Sequence, residues 1–478
     1  MSSSRRASRL ALALVLSSLT LSASVASATD LPLATRSAWT GLGTPPGGSV
    51  IDLAPAPGGV LYAVGTFQAI GGVSAGYLAR WDGATWTSLG DANDWVYAVA
   101  VAPDGDVYVG GRFTEIGGVQ ASRVARWDGA AWHAVGVGFN NPVEDLVFDA
   151  SGRLYAGGGF RIVGDNSGLG VARWDGTAWS YVGGSGVDNT VSALATDGDT
   201  LYVAGSFSSL GGVAASDVAR FDDETGVRAL GTGVTQVGGG HGVYALALDA
   251  SGRLFAGGSF TEIGGQAANH LARWDGEAWA PVGGVSGSSG GSTGVMALAF
   301  DGAGQLYVGG SFTEAGGVAT KGVAMTDGAA WIALGSGVAN GRVETLFVAQ
   351  DRPYLYVGGG FSDMGGVAGL SFLARWDGVT STPAERGPEA GALRLTAPAP
   401  NPSARASTLW LTTASTADVR ADLVDVTGRV VGVLYAGPVV AGVPLALRAD
   451  RGDLPAGVYV VRVTGGGERL TRRVTFVR

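Results

Sequence analysis

Residues 96–136 read VYAVAVAPDGDVYVGGRFTEIGGVQASRVARWDGAAWHAVG. The stretch divides into four alternating apolar runs separated by turn residues, which indicates four antiparallel strands. The dipeptide Asp128-Gly129 separates the third run from the fourth, and such a pair suits the two positive-φ positions of a tight hairpin. Because copies of this pattern fill most of the chain, the stretch defines a repeated four-stranded unit.

A phenylalanine just ahead of a glycine turn marks each copy of this unit. A period near fifty with strand patterning is typical of propeller blades. Alanines in the first run and tryptophans in the outer runs fit strands that crowd around an axis and spread outward. The sequence therefore predicts an all-β fold with a seven-bladed β-propeller of four-stranded blades. The marker residues are spaced 46, 47, 47, 53, 52 and 49 residues apart, at Phe67, Phe113, Phe160, Phe207, Phe260, Phe312 and Phe361.

The seventh copy lacks its fourth run. It ends at ARWDG, residues 374–378, whereas AWTGLG at residues 38–43 matches the fourth-strand pattern and precedes the first copy. We predict that the N-terminal strand 38–43 pairs with the third strand of the last blade. Such pairing joins the two ends of the propeller, residues 29–378, and leaves no long sheet edge exposed.

The N-terminal residues 1–28 have the composition of a signal peptide. Arginines at positions 5, 6 and 9 precede an apolar stretch too short to span a bilayer, and the small residues 26–28 predict cleavage after Ala28. The pattern leaves Sec and twin-arginine export both open. The chain contains no cysteine, so disulfides and thiolate chemistry are excluded.

Charge differs between the two parts of the mature chain. Residues 29–392 carry 17 basic and 34 acidic side chains, whereas residues 393–478 carry 11 basic and 6 acidic ones. An acidic ring repels phosphate backbones, which argues against nucleic acid as a partner. The basic C-terminal part favours either an anionic partner or a solvated arginine face.

The C-terminal part, residues 393–478, follows a linker at 379–392 and has a different period. Its six strand runs and short turns predict a small β-sandwich. Several spaced motifs stand out: Asn401-Pro402, DVTGR at 425–429, LPAGVYVVR at 454–462 and the basic end RRV at 472–474.

These motifs resemble the C-terminal sorting domain of the type IX secretion system. The resemblance implies that an outer-membrane export machine of certain Gram-negative bacteria reads residues 393–478. It further implies that this domain is usually removed, leaving a cargo that is free or attached to an anionic surface glycolipid. A secreted or outer cell-surface location is therefore expected, with membrane association only by surface attachment.

The repeats also have relatives. LYVGG at 306–310, followed by the VARWDG-type and AW-x-x-LG runs, resembles the kelch repeat and the propeller of galactose-oxidase-like proteins. The resemblance implies a propeller. It does not extend to oxidase chemistry, because the copper-radical site of that group needs a cysteine cross-linked to a tyrosine.

Residues that could carry chemistry are scattered. His133, His241 and His270 fall in different repeat contexts without partners at ligand spacing, so polar roles are expected for them. Each arginine of the ARWD pattern has an aspartate two residues later and could form a repeated ion pair or hydrogen-bond a neighbouring backbone group. The sequence assigns no catalytic residue, no cofactor and no defined metal site.

Four carboxylates occupy equivalent positions just after the second strand. In a closed ring they would lie at similar height on one face, where they could recruit calcium. Solvated turn acids are the alternative. These weak calcium candidates are Glu115, Glu262, Glu314 and Asp363.

The loops from the fourth strand of one blade to the first of the next vary most. Variable loops on a rigid frame are common recognition sites, although Gly/Ser-rich loops can also be plain spacers. The loop face is therefore the predicted ligand face. Its candidate contact residues are Trp95, Phe139, Asn140, Asn141, Asp188, Asn189 and His241.

Two functions follow from these features. The first is a noncatalytic binding or adhesion module, secreted or attached to the cell surface through a type IX-like route, with a glycan or an extracellular protein as ligand. The alternative is an extracellular polysaccharide hydrolase or lyase with its site on the loop face. The lack of a compact acid, base, nucleophile or metal cluster in the sequence favours the first.

Overall fold

The computed structural model describes residues 39–165, 167–237, 242–289, 293–349, 354–378, 393–395, 406–413, 416–425, 429–439, 445–452, 454–465 and 468–477. These residues form β-strands, turns and one 3-10 turn at Val182–Gly184, with no α-helix among them. The chain divides into two compact units, Met1–Ser381 and Thr382–Arg478. The predicted signal peptide and linker lie outside the described residues.

Four-stranded antiparallel sheets build the first unit, and seven of them lie in its described residues. We number them 1 to 7 in chain order and name the strands of each sheet a to d in order of pairing. Sheet 1 comprises Val50–Ala56, Val60–Gly65, Leu78–Trp81 and Trp86–Ser88. Sheet 2 comprises Val96–Val101, Val107–Gly111, Val124–Trp127 and Trp132–Ala134. Sheet 3 comprises Val143–Phe148, Leu154–Gly158, Val171–Trp174 and Trp179–Tyr181.

Sheets 4 to 6 repeat the same order of pairing. Sheet 4 comprises Thr190–Asp197, Thr200–Ser206, Val218–Asp222 and Gly226–Ala229. Sheet 5 comprises Val243–Leu248, Leu254–Gly258, Leu271–Trp274 and Trp279–Pro281. Sheet 6 comprises Gly294–Phe300, Leu306–Ser311, Val323–Thr326 and Trp331–Ala333. Sheet 7 takes its strands from both ends of the unit: Val338–Val348, Leu355–Met364, Leu373–Trp376 and Trp39–Thr40.

The a strands of consecutive sheets contact one another in a closed sequence. Each a strand touches the next along the chain, and the a strand of sheet 7 touches that of sheet 1. The a strands are therefore inside and the d strands outside. This order places the alanines of the first runs in the crowded centre and the tryptophans where the sheets diverge.

Strand Trp39–Thr40 joins the start of the unit to its end. Trp39 pairs with Trp376, and its indole N–H donates to the carbonyl of Leu334 in sheet 6 at 3.2 Å. On the other side, the carbonyl of Leu42 accepts the indole N–H of Trp86 in sheet 1 at 2.8 Å. This is the pairing that the AWTGLG pattern predicts, and it repeats contacts seen between other sheets, namely Trp132 to Leu89, Trp179 to Val135 and Trp279 to Leu230.

A fully buried valine near the start of each a strand packs the gaps between sheets. In five of the seven sheets the facing b-strand residue is a glycine, and the packing leaves no room for a side chain there; sheets 1 and 4 have Val64 and Ala204 at this position. A Cβ built on Gly257 of sheet 5 would lie 2.3 Å from Val295 of sheet 6, and one on Gly358 of sheet 7 would lie 2.8 Å from Val50 of sheet 1. The seven valines are Val50, Val96, Val143, Val191, Val243, Val295 and Val343.

Short hairpins after the b strands contain the paired glycines, and all seven marker phenylalanines are buried. The phenylalanines therefore belong to the scaffold. The hairpin strands are Ala69–Ile70 with Val73–Ser74, Glu115–Ile116 with Val119–Gln120, Ser209–Leu210 with Val213–Ala214, Val234–Val237 with Phe260–Ile263 and Gln266–Ala267, and Val285–Ser286 with Glu314–Ala315 and Val318–Ala319.

Two predictions about the ARWDG motif are wrong in detail. Only the glycine of the Asp-Gly turns has positive φ, as at Gly129 with +93°, because the turn spans four residues. The aspartate side chain instead accepts backbone N–H groups of its own turn, as Asp128 does from Ala130 and Ala131. Arg375 and Asp377 form the expected ion pair at 2.6 Å, whereas Arg126 reaches Asp106, directly before the b strand, at 3.1 Å.

The second unit contains two antiparallel sheets with one shared hydrophobic core. Leu409 and Leu447 of the first sheet lie in the same buried cluster as Val461 and Phe476 of the second. In the motif region, Asp425 forms an ion pair with Arg429 at 3.1 Å. The strands are Leu393–Leu395, Ala406–Thr413 and Leu445–Asp450 in one sheet, and Val430–Val439, Ala417–Val424, Gly457–Gly465 and Glu468–Phe476 in the other.

Candidate functional site

Every a strand contains a β-bulge directly after its buried valine. In sheet 1, Val50 pairs with Gly65 and Asp52 pairs with Val64, so Ile51 is an extra residue without a partner across the ladder. A bulge re-aims one side chain and leaves the rest of the ladder intact. The seven extra residues, which we call the bulge ring, are Ile51, Tyr97, Glu144, Ser192, Tyr244, Met296 and Glu344.

The bulge ring differs from the valines in exposure and in chemistry. All seven valines are completely buried, whereas every bulge-ring residue is half-buried or exposed. The valine position is constant, yet the next position contains two tyrosines, two glutamates, one methionine, one isoleucine and one serine. Backbone geometry is therefore the same in all sheets, while the side chains presented at the axis vary.

The bulge ring surrounds a cavity of about 410 Å³, which we call the axial cavity. All seven sheets contribute to its wall. The bulge ring lies nearest the start of the a strands, so the cavity opens toward the loops that precede them. Farther along the strands the wall becomes apolar, with Leu194, Leu246, Leu298 and Leu346.

Two aspartates follow the bulge in sheets 1 and 3. The oxygens of Asp145 accept backbone N–H groups from Leu146 at 2.7 Å and from Leu194 of sheet 4 at 2.6 Å. Asp52 accepts in the same way from Leu53 at 2.7 Å and from Val99 of sheet 2 at 2.9 Å. Each carboxyl therefore links its sheet to the next one.

The protein environment disfavours ionisation of both aspartates. Burial raises the pKa of Asp145 to about 8, and the nearby carboxyl of Asp52 adds to the shift. Burial likewise raises the pKa of Asp52 to about 6, although the two backbone N–H bonds oppose it. Both residues are half-buried and belong to the wall of the cavity.

Two glutamates of the bulge ring face the cavity with different partners. Arg342 donates to Oε1 of Glu344 at 2.7 Å, while Oε2 is buried without a hydrogen-bond partner among the described residues. Burial raises the pKa of the Glu144 carboxyl, and the positive charge of Arg112 opposes that rise.

An aromatic and charged cluster lies beside the cavity at the start of sheet 2. Trp95 is 38% exposed, and the guanidinium of Arg112 lies 5.0 Å from its ring centroid. Arg112 also hydrogen-bonds Tyr97 of the bulge ring and approaches Asp94 at 3.5 Å. The contacts hold Trp95 next to the cavity with one part of the indole in water.

The predicted ligand-face residues fall into different classes. Trp95 lies beside the axial cavity, as just described. Phe139 is 1% exposed and packs against Phe160 and Trp179 with ring centroids 3.9 and 4.7 Å away. Its selection as a contact residue was wrong, because an aromatic side chain in a loop can complete the core beneath that loop. His241 lies outside the described residues.

The polar loop candidates hold the loops in place. Asn140 accepts the backbone N–H of Arg161 at 2.7 Å, and Asp188 accepts that of Ser208 at 2.8 Å. Asn93 does the same for Thr114 at 2.9 Å, although sequence reasoning did not select it. The Asn141 side chain donates to the backbone carbonyl of Gly159 at 3.2 Å, and the side-chain carbonyl of Asn189 accepts from the Thr190 hydroxyl at 3.3 Å.

The four calcium candidates sit on separate hairpins. Gln120 donates to Glu115 at 2.6 Å, Thr235 donates to Glu262 at 2.5 Å, and the backbone of Gly369 donates to Asp363 at 3.0 Å, while Glu314 is exposed. Within the described part of the chain, no three His, Asp or Glu side chains lie close enough together to hold a metal ion.

The two described histidines occupy polar and buried settings. His133 contacts Asp128 at 2.6 Å in a hairpin of sheet 2. His270 is 8% exposed, and burial lowers the pKa of its imidazole. Neither histidine lines the axial cavity.

Sequence reasoning missed the bulge ring. A bulge adds one residue to a strand, so a strict alternation of apolar and polar positions does not identify it. The sequence does hold one signal for the bulge ring. In all seven copies a valine is followed by a residue that differs between copies, such as tyrosine, glutamate or methionine.

No helix among the described residues is long and apolar enough to cross a membrane. No curated protein matches the chain. Residues 102–127 and 250–274 match a β-propeller domain family of unknown function, DUF5122. These two segments cover the b strand, the following hairpin and the c strand of sheets 2 and 5, so the chain is similar to this β-propeller family in the repeated part of its fold.

Proposed function

We propose that the first unit is a seven-bladed, kelch-like propeller that acts as a noncatalytic binding module at the outer cell surface or in the extracellular medium. The axial cavity is the observation that carries this proposal. Its wall combines a constant backbone frame with seven differing side chains, an arrangement suited to recognition because the scaffold stays rigid while the contacts change.

The chemistry of the cavity mouth supports ligand binding. Trp95, Tyr97 and Tyr244 provide flat apolar surfaces with polar edges, and Arg112 and Glu144 provide charge. Aromatic and arginine side chains of this kind dominate binding energies at protein interfaces, and aromatic faces also stack on sugar rings. A glycan or an extracellular protein is therefore the ligand class in this proposal.

Binding can be tested with the full mature chain, residues 29–478, on arrays of glycans and of extracellular proteins. Tyr97→Ala should weaken a detected interaction by about tenfold or more, because aromatic anchors commonly contribute 2 kcal/mol or more. Ile332→Ala is the matched control, since Ile332 is 47% exposed and belongs to the outer d strand of sheet 6. Equal losses in both variants would contradict a site at the axial cavity.

The alternative is a polysaccharide hydrolase or lyase that uses cavity carboxyls. The raised pKa of Asp145 favours it, since a general acid must stay protonated near neutral pH. However, both oxygens of Asp145 accept backbone N–H groups, so this carboxyl already holds sheets 3 and 4 together. Release of reducing or unsaturated ends from an array-positive polysaccharide, lost in Asp145→Asn, would support the enzyme and overturn the binding module.

We further propose that the second unit is a β-sandwich sorting domain that directs export by a type IX-like route after removal of the leader. Contacts between motif residues support the proposal: Asp425 and Arg429 form an ion pair, and the Tyr459 hydroxyl donates to the carbonyl of Pro455 at 2.9 Å. In a bacterium with type IX machinery, deletion of residues 393–478 should leave the protein inside the outer membrane. Unchanged export of the shortened chain would contradict this route.

A further inference from the structure

The wall of the axial cavity offers hydrogen-bond acceptors and negative charge. Four carboxyl groups line it, on Asp52, Glu144, Asp145 and Glu344, and Asp145 is mainly protonated at neutral pH because burial raises its pKa to about 8. Its lining in the described residues includes no lysine, arginine or histidine. The nearby guanidinium of Arg342 is bound to Oε1 of Glu344. The complementary ligand group is therefore a hydrogen-bond donor with positive charge.

One oxygen in this wall lacks a partner. Oε2 of Glu344 is buried and makes no hydrogen bond to the described residues, although buried carboxylate oxygens normally do. Burial is the largest cause of the raised pKa of Asp145, and the nearby carboxyls of Asp52 and Glu144 add to the rise. A cation bound in the cavity would lower the cost of ionising these carboxyls.

The remaining wall is apolar or aromatic. Ile51 and Met296 stand beside the tyrosines of sheets 2 and 5 in the bulge ring, and leucines follow deeper in the cavity. Such a wall suits an aliphatic stem, and tyrosine faces attract cations. A volume of about 410 Å³ is at the small end for ligand pockets, so one side chain fits better than a long polymer segment.

The existing hydrogen bonds favour an ammonium over a guanidinium. Both oxygens of Asp52 and of Asp145 already accept backbone N–H groups, so neither carboxyl is free for the paired contact that a planar arginine fork makes best. An ammonium is a compact charge with three donors that can point to acceptors on several walls.

We propose that the axial cavity binds the side chain of a lysine presented by an extracellular partner protein. The ammonium group lies among the carboxyls of the cavity wall, and the four-carbon stem contacts Met296 and the tyrosines. The proposal rests on the binding function proposed above and specifies the group that is recognised.

The test is calorimetric titration of the full mature chain with Nα-acetyl-lysine amide. The matched control ligand is the norleucine amide, which has the same stem without the ammonium. Nε-acetyl-lysine amide keeps the length and removes the charge. We expect binding of the lysine compound and at least about tenfold weaker binding of both controls, because a charge-assisted hydrogen bond accounts for such a factor.

Two variants locate the interaction. Glu344→Gln should weaken lysine binding by about tenfold, while its amide oxygen can still accept from Arg342. Glu314→Gln makes the same chemical change on an exposed hairpin and should leave binding unchanged. Thermal unfolding of both variants shows whether a loss of binding reflects a loss of folding, and Tyr244→Ala provides a second test if Glu344→Gln is unstable.

Several outcomes would overturn the proposal. These are equal binding of lysine and norleucine compounds, absence of lysine binding, and binding of glucosamine oligomers or of calcium in place of lysine. If Tyr97→Ala abolishes an array-detected interaction that free lysine amide cannot compete for, the binding module stands and the lysine proposal fails. If no array ligand depends on Tyr97 and lysine does not bind, both fail.

Discussion

At the scale of single residues, hydrogen bonding and burial have opposite effects on the ionisation of Asp145. Its carboxyl accepts backbone N–H bonds from sheets 3 and 4, which favours the charged form, yet burial raises its pKa to about 8. Asp52 repeats the conflict more weakly in sheets 1 and 2. The two side chains join neighbouring sheets beside the cavity, so their protonation affects the stability of the first unit.

Stability of the first unit should therefore fall as pH rises. The folded state holds the Asp145 proton more tightly than the unfolded chain does, so the free energy of unfolding decreases between the ordinary pKa of 3.8 and the folded value of about 8. Over this interval we expect a loss on the order of a few kcal/mol from this group. Asp145→Asn should flatten the dependence, because an amide does not titrate there.

Denaturant unfolding at pH 4, 6 and 8 measures this effect. Asp199→Asn, a change of the same charge at a side chain that is 74% exposed, is the control and should follow the wild-type slope. A wild-type stability that rises from pH 4 to 8, or a slope that persists in Asp145→Asn, would show that the carboxyl stays ionised in the folded protein.

At the scale of elements, the paired-glycine hairpin and the d-strand tryptophan form one packing unit. A Cβ on Gly117 would lie 2.4 Å from the Trp132 indole, whereas a Cβ on Gly118 would meet nothing within 4 Å. Equivalent contacts join Gly71 to Trp86 and Gly365 to Trp39. The first glycine of the pair is thus required by space as well as by backbone conformation, and the second by conformation alone.

Substitution of the two glycines by alanine separates these causes. Both have positive φ, +55° at Gly117 and +80° at Gly118, so each variant loses about 1 kcal/mol from backbone strain. Gly117→Ala should lose about 1–3 kcal/mol more, since its methyl group displaces the indole. Chemical denaturation of both variants measures the difference, and equal losses would refute the packing argument.

Some features of the strands and loops can be predicted from the sequence and others cannot. The four strands of each sheet in the first unit, their order and the scaffold role of the phenylalanines follow from local alternation and turn residues. The bulges and the bonds that Asn140 and Asp188 make to the segments after the b strands do not, because they depend on which backbone groups face each other after folding. Asn140 was predicted as a contact residue because its loop is variable, and its side chain instead accepts the backbone N–H of Arg161.

The candidate site was predictable only in outline. The sequence predicts Trp95 as a ligand-face residue, and its ring lies 6.3 Å from that of Tyr97, which lines the cavity. Nothing local in the sequence sets Tyr97, Glu144 and Glu344 apart from other strand residues, since an axial position and a solvent-facing one show the same alternation. Only the assembly of all seven sheets brings them together.

At the scale of the whole molecule, sheet 7 holds both ends of the first unit. Trp39 is 5% exposed, packs against Trp376 with ring centroids 4.9 Å apart, and bonds the carbonyl of Leu334. Without this strand, the c strand of sheet 7 would expose its hydrogen-bonding edge and the gap toward sheet 6 would lose its tryptophan.

Removal of residues 37–43 should therefore lower the melting temperature and promote aggregation. Trp39→Ala alone should cost about 3–5 kcal/mol, the usual range for a buried aromatic residue. Trp95→Ala removes an equally large side chain that is 38% exposed, so it should change stability much less. Scanning calorimetry and light scattering compare the three variants, and unchanged melting after the deletion would disprove a closing role for this strand.

Strand Trp39–Thr40 pairs with Leu373–Trp376, and more than three hundred residues separate the two. During synthesis, sheets 1 to 6 can therefore form while the partner of Trp39 has not yet been made. Closure of the first unit waits for the c strand of sheet 7, so the early sheets must persist with an unpaired neighbour until that strand emerges.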